Sequence, residues 1–465
     1  MLFNSFEFLV FFAIIFVSFY SLSHKFRWLL LLLASCFFYM YFIPEYILIL
    51  FFTILITYYS AILIEKSTIK KQRKQILIIS ILLNISILSY FKYFNFLNNN
   101  LSTFLEFFSV ENRIPLLEII LPVGLSFFIF QSISYSIEVY RGTLPVERHL
   151  GYYSLYVMFF PQLVAGPIER PQNILPQLKK KSKFSFTNLE SGLKLILLGL
   201  FKKVVVADQL SFFVDNVYAS QLNQSPEQIF VAAILFSFQI YCDFSGYSDM
   251  AIGLAKTMGI DLMTNFKQPY FSYSLTHFWQ RWHISLSSWF KDYLYIPLGG
   301  NRESRFKTYR NIFIIFAVSG LWHGSSWTFV IWGLIHGFVV TIERIFKYNP
   351  KNKNFFIRSI GVFITFFILT IAWVFFRSSN IDQAFNFLFL LKNISTEKII
   401  TLLSNSEVFY NFILVSLLII VDFFDTKINL NNLNIVSKTL FYTLVLIFIL
   451  IMGSFNNNSF IYFQF

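Results

Sequence analysis

Apolar runs of close to membrane-spanning length recur along this chain and constrain it more than any other feature. An α-helix rises 1.5 Å per residue, so about 20 apolar residues cross a hydrocarbon core of roughly 30 Å. Such runs occupy 2–20, 28–43, 46–64, 75–91, 119–139, 192–214, 229–253, 326–343, 359–376, 408–424 and 438–453. Eleven spans are therefore expected, and two shorter pieces, 151–165 and 312–320, read as re-entrant or partial crossings. Charged residues make up only 13% of the 465, about half the usual quarter, and the hydrophobic set is 56%. No soluble core could bury that much apolar surface. A soluble enzyme, a disordered chain and a secreted disulfide scaffold are excluded. The expected fold is a single polytopic all-α integral membrane domain over 1–465.

Charge placement predicts the orientation. The net charge is +13, from 37 basic and 24 acidic residues. Three loops, 65–74, 170–183 and 344–358, each hold five Lys or Arg and at most one acid. By the positive-inside rule all three face the cytoplasm, so the basic excess reads as attraction to an anionic leaflet and not to nucleic acid. The first run has no cation before it and Lys25 and Arg27 after it, which predicts a retained helix with its N-terminus outside. With 65–74 and 170–183 on one side, 119–139 must cross and 151–165 must dip in and return. That return carries Pro161, Gly166 and Pro167. Irregular backbone at membrane depth survives only against protein or a wet cavity, so Phe160–Pro171 is expected to line one. Asn98–Asn100 and Asn456–Asn458 read as loops. Cys36 and Cys242 read as small buried hydrophobes, with no metal or disulfide spacing.

The polar, glycine-rich region 240–337 is where chemistry is expected, because polar groups among spans are costly. In "YCDFSGYSDMAIG", Asp243 and Asp249 are six residues apart, about 600° around a helix, so they are no paired acid–base site. They read as cavity lining, or as helix packing with Ser245 and Gly246 at a close contact. In "HFWQRWHISLSSWFKDYLYIPLGG", aromatics at three- and four-residue steps predict one interfacial helix, with His283 at the edge of its stripe and a basic loop after Gly300. In "SGLWHGSSW", His323 is expected among Leu321, Trp322 and Trp327. Loss of solvent disfavours its charged form and keeps it available as a base. Its flanking glycines, Gly320 and Gly324, would let a substrate chain approach the ring. His336 is the rival imidazole, and His24, His149 and His277 read as structural or solvated. No metal set, Walker loop, dinucleotide fingerprint or Gly-x-Ser-x-Gly elbow occurs. Spacing alone leads to a multispan protein with a polar core that contains histidine.

The strings "PQLVAGPIERP", "YCDFSGYSDMAIGLAKTMGI", "HFWQRWHISLSSWFKDYLYIPLGG", "SGLWHGSSWTFVIWGLIHG" and the tail "FIYFQF" resemble the membrane-bound O-acyltransferase superfamily, in its alginate O-acetyltransferase branch. The resemblance implies a horseshoe of helices around a central tunnel, with 119–343 as the catalytic core. It implies that His323 is the essential histidine and His283 the second. Arg281, near His283 in sequence, would help position the donor. It further implies a bacterial inner-membrane enzyme that takes acetyl from cytosolic acetyl-CoA, with no tightly bound cofactor and no metal, toward a polysaccharide hydroxyl outside. A periplasmic esterase-like partner would complete the transfer. Whether His323 acts as base or as transient acyl carrier stays open at this level. So do a D-alanyl or long-chain acyl transferase of the same superfamily, and a transporter of lipid-linked sugar.

Overall fold

The computed structural model describes residues 1–219, 224–348, 350, 354–427, 434–455, 460 and 461. Among these there are helices and turns and no strand. In chain order the helices are α1 (Phe6–Ser21), α2 (His24–Met40), α3 (Ile47–Lys66), α4 (Lys70–Leu88), α5 (Phe94–Glu106), α6 (Leu125–Arg141), α7 (Leu150–Met158), α8 (Phe160–Leu163), α9 (Pro171–Lys179), α10 (Phe186–Leu200) and α11 (Asp208–Ala219). They continue as α12 (Pro226–Thr257), α13 (Leu275–Phe278), α14 (Ile284–Phe290), α15 (Arg305–His323), α16 (Trp327–Ile345), α17 (Phe355–Arg377), α18 (Ile381–Leu390), α19 (Thr396–Leu403), α20 (Ser406–Lys427) and α21 (Ile435–Met452).

Each of the eleven expected spans overlaps a helix. Seven of them, in α3, α4, α12, α16, α17, α20 and α21, are long and apolar enough to cross a membrane unaided. The other four are shorter or interrupted. α1 has 16 residues and α2 and α6 have 17 each. The 192–214 run is broken by a π-helical turn at Phe201–Ala207 between α10 and α11. One expected loop is corrected. Asn98–Asn100 lie inside α5, because Asn98 donates to the carbonyls of Ile114 and Pro115 and Asn95 to that of Leu117. Side-chain amides that would compete with a helix backbone are here satisfied from the next segment. The 312–320 piece, expected as a re-entrant or partial crossing, lies within the 19-residue α15. Asn456–Asn458 lie outside the described residues.

The chain divides into two compact units. One comprises Met1–Leu193 with Ala251–Met263, the other Lys194–Met250 with Thr264–Phe465. In the first, α3, α4, α6 and α7 pack together, and two of the hydrogen bonds in their interior join different helices. Thr57 and Tyr153 share a hydroxyl–hydroxyl bond of 2.5 Å, and the Tyr156 hydroxyl donates to the Gln131 carbonyl. The expected break in 151–165 is present: α7 ends at Met158 and the short α8 follows, both buried along most of their length. His24 contacts the Lys179 carbonyl and His149 caps α7, so both are structural as expected.

Just past this break, Glu169 is 0% exposed. It accepts from the Met263 N–H and from Asn173 Nδ2. Burial outweighs these bonds and pushes its carboxyl up to about 7 from 4.5. Folded Glu169 therefore keeps a proton that the unfolded chain releases between those values. Stability falls as pH rises through that window and levels off above it. Glu169→Gln, which preserves an acceptor oxygen, is expected to remove this slope. Thermal unfolding in detergent between about pH 4 and 8 should show wild type losing roughly 3 kcal/mol relative to the variant.

Candidate active site

The second unit places His283 and His323 side by side. Their ring centroids are 6.5 Å apart and both residues are essentially buried, at 0% and 2% exposure. α15 carries His323 as its last residue, and Ser326 caps the α16 that follows. The two helices touch through their glycines. A Cβ on Gly320 would lie 2.2 Å from the Phe329 carbonyl oxygen, and one on Gly333 2.1 Å from that of Phe316. That approach sets His323 4.9 Å from Trp332, edge to face, with Trp322 at 4.9 Å and Phe376 at 5.5 Å. The glycines beside His323 are thus filled by protein, Gly324 by the Phe329 ring. The expectation that they open a path for substrate is corrected to helix packing.

The expected single helix through His277–Gly300 is also corrected. α13 ends at Phe278, α14 begins at Ile284, and a π-helical turn covers Lys291–Tyr295. The break is at His283 itself, whose φ of +43° is left-handed. A non-glycine residue holds that conformation only where its surroundings impose it. Here Asn265 does so. Its Oδ1 lies 3.1 Å from His283 Nδ1 and accepts from the Ser285 N–H and hydroxyl, while its backbone carbonyl accepts from the Ile284 N–H. Asn265 Nδ2 donates to the Ser248 hydroxyl, which fixes the amide's orientation. The His283 proton therefore sits on Nδ1, and Nε2 carries the lone pair. Burial lowers the His283 pKa to about 3, so the ring is neutral at physiological pH. The aromatic stripe faces inward, with Trp282 0% exposed.

The remaining candidates take supporting places. Arg281 donates to His277 Nε2 and to the carbonyls of Lys267 and Gln268, bracing the loop that carries Asn265. His336 is buried and accepts from the Trp279 indole N–H, one ring away from His323 through Trp332. Asp243 and Asp249 do point in different directions, each to its own lysine. Lys203 Nζ lies 2.7 Å from Asp243 and 2.8 Å from Asp208, and Lys202 Nζ lies 2.9 Å from Asp249. Both lysines sit on the π-helical turn, a distortion often found at functional sites. Gly246 backs onto the Gly199 carbonyl at the close contact foreseen. The second Asp243 oxygen accepts from the Ile461 N–H, and Phe460 packs on Phe244, whose ring meets His283 at 4.6 Å. Of the tail string, positions 462–465 lie outside the described residues.

Sequence reasoning missed Asn265, Lys202, Lys203 and Asp208. Two adjacent lysines and an aspartate inside an otherwise apolar run were a usable signal. Asn265, in an ordinary loop, offered none.

The family described as "MBOAT, membrane-bound O-acyltransferase family" matches residues 144–381. A probable alginate O-acetylase AlgI of Pseudomonas putida is 42% identical over 68% of this chain and 64% of its own length. A peptidoglycan O-acetyltransferase of Helicobacter pylori is 37% identical over 66% and 63%. A teichoic acid D-alanyltransferase of Bacillus subtilis is 27% identical over 55% and 68%. The chain thus spans less than two thirds of the length of the first two.

Two variants test the geometry. Asn265→Leu strands the His283 N–H and two Ser285 donors, and is expected to cost about 2 kcal/mol of stability by thermal unfolding and to lower activity. Lys203→Met leaves two buried carboxylates without their cation. A loss of roughly 3–5 kcal/mol is expected, read as a fall in Tm and in folded yield.

Proposed function

From the premise that the chain belongs to the membrane-bound O-acyltransferase family, we propose that it is an O-acetyltransferase of envelope or secreted polysaccharide in a bacterial inner membrane. The carrying observation is the pair of buried imidazoles 6.5 Å apart in one aromatic cluster. Identity of 42% to a probable alginate O-acetylase supports acetyl as the group moved. The weaker match to a D-alanyltransferase disfavours the D-alanyl alternative.

The donor is acetyl-CoA, a cytosolic thioester that cannot cross a bilayer unaided. The acceptor hydroxyl lies outside. A horseshoe of about eleven spans around a tunnel lets the acetyl end reach His323 while CoA stays on its own side. His323 takes the proton of an attacking hydroxyl, or carries the acetyl group briefly itself. His283, locked as its Nδ1–H tautomer by Asn265, presents Nε2 as an acceptor and orients the reacting groups. Arg281 acts on the donor through the loop it braces. A periplasmic esterase-like partner supplies the serine for the last transfer, which fits a chain without a nucleophile elbow of its own.

His323→Ala is expected to accumulate to wild-type amounts and to lose glycan acetylation by at least about 100-fold, the usual weight of a general base. Acetyl ester measured on isolated polysaccharide checks this. Full acetylation would reject the role of His323.

A further inference from the structure

Three tryptophans of the second unit, Trp282, Trp332 and Trp373, are each 0% exposed, and the indole N–H of each has no acceptor among the described residues. An indole nitrogen can only donate, and a buried one nearly always finds a partner. An unpaired donor in a low-dielectric interior carries its full desolvation penalty. A single case is tolerable as packing. Three joined through Trp373 form a cluster of donors that a ligand could satisfy. The Trp373 ring lies 5.2 Å from Trp282 and 5.7 Å from Trp332. Trp332 in turn meets His323 at 4.9 Å with the rings 84° apart. Phe376 closes the group, 5.4 Å from Trp332 and 5.5 Å from His323. Trp282 precedes His283 directly in the chain.

We propose that the Trp332 indole N–H receives the acyl carbonyl oxygen as it becomes an oxyanion, with Trp282 and Trp373 extending the donor set. This rests on the acyl-transfer reading above. In the step, the acceptor oxygen bonds to the acyl carbon and its proton passes to His323. The carbonyl π electrons move onto the oxygen, against the Trp332 N–H. Collapse restores the carbonyl and breaks the carbon–sulfur bond, and the proton leaves His323 with the thiolate. Fixed donors aimed at developing charge work best where water is excluded, because no solvent dipole has to reorient. Neutral indoles also bring polarity into an aromatic pocket without burying a charge.

The test replaces Trp332 in the full chain by 3-benzothienylalanine, which keeps the ring shape and lacks the N–H. Acetyl transfer from acetyl-CoA is then followed under steady-state conditions. The expected result is a fall in kcat of roughly 100- to 1000-fold with KM for the donor within about 2-fold. Trp332→Phe should show the same loss with a lower Tm. An isostere as active as wild type, the outcome for a packing role, overturns the proposal. So does a loss confined to the same replacement at Trp282 or Trp373. His323→Ala run alongside separates the two ideas. If it abolishes transfer while the isostere stays active, the donor assignment fails and the acyl-transfer reading stands. If it stays active, that reading fails.

Discussion

A bilayer offers no water to a buried polar group, and every functional feature of this chain is arranged around that constraint. Backbone groups are satisfied within helices. Side chains that chemistry requires must find partners from other segments. The Asn265 amide is the clearest instance. One oxygen serves the imidazole of His283 and both donors of Ser285, and the other end of the amide is tied to Ser248. Without that clasp, the left-handed turn at His283 would have nothing to impose it. The ring would then lose both its position and its defined tautomer.

The same logic accounts for the charges. Lys202 and Lys203 sit side by side on a π-helical turn and reach separate aspartates on α12. A buried ion pair is weak evidence for stability, because desolvation offsets much of the attraction. Its value here is geometric: it fixes how α12 meets the preceding segment. α12 in turn supplies Ser248 to the clasp and Phe244 to the wall of His283. On the opposite wall, glycine contacts bring α15 against α16 and hold His323 on Trp332. Two independent packing devices thus bring two imidazoles into one aromatic cluster.

Much of this was legible in the chain. Long apolar runs and basic loops carry period and charge, which are local properties, so the helices fell where expected. His323 and His283 stood out because imidazole is rare and costly amid apolar sequence. What could not be read was the consequence of tertiary contact. Asn265 acts through one hydrogen bond from a featureless loop. The aromatic periodicity of 277–300 suggested a continuous helix, and a single left-handed residue divides it. Asn98 looked like a loop residue and is helical because a neighbouring segment accepts its amide protons. Gly320 and Gly324 signalled close approach correctly, and the approaching group is Phe329.

The proposal that acetyl crosses the membrane while its carrier does not is open to one direct measurement. Proteoliposomes would enclose the acceptor glycan with its periplasmic partner, and CoA bearing one isotope on the acetyl group and another on the adenine would be added outside. Acetyl label on the enclosed glycan, with the adenine label remaining outside, is the result expected. Both labels appearing together inside, or acetyl appearing only on the donor's face, would contradict it.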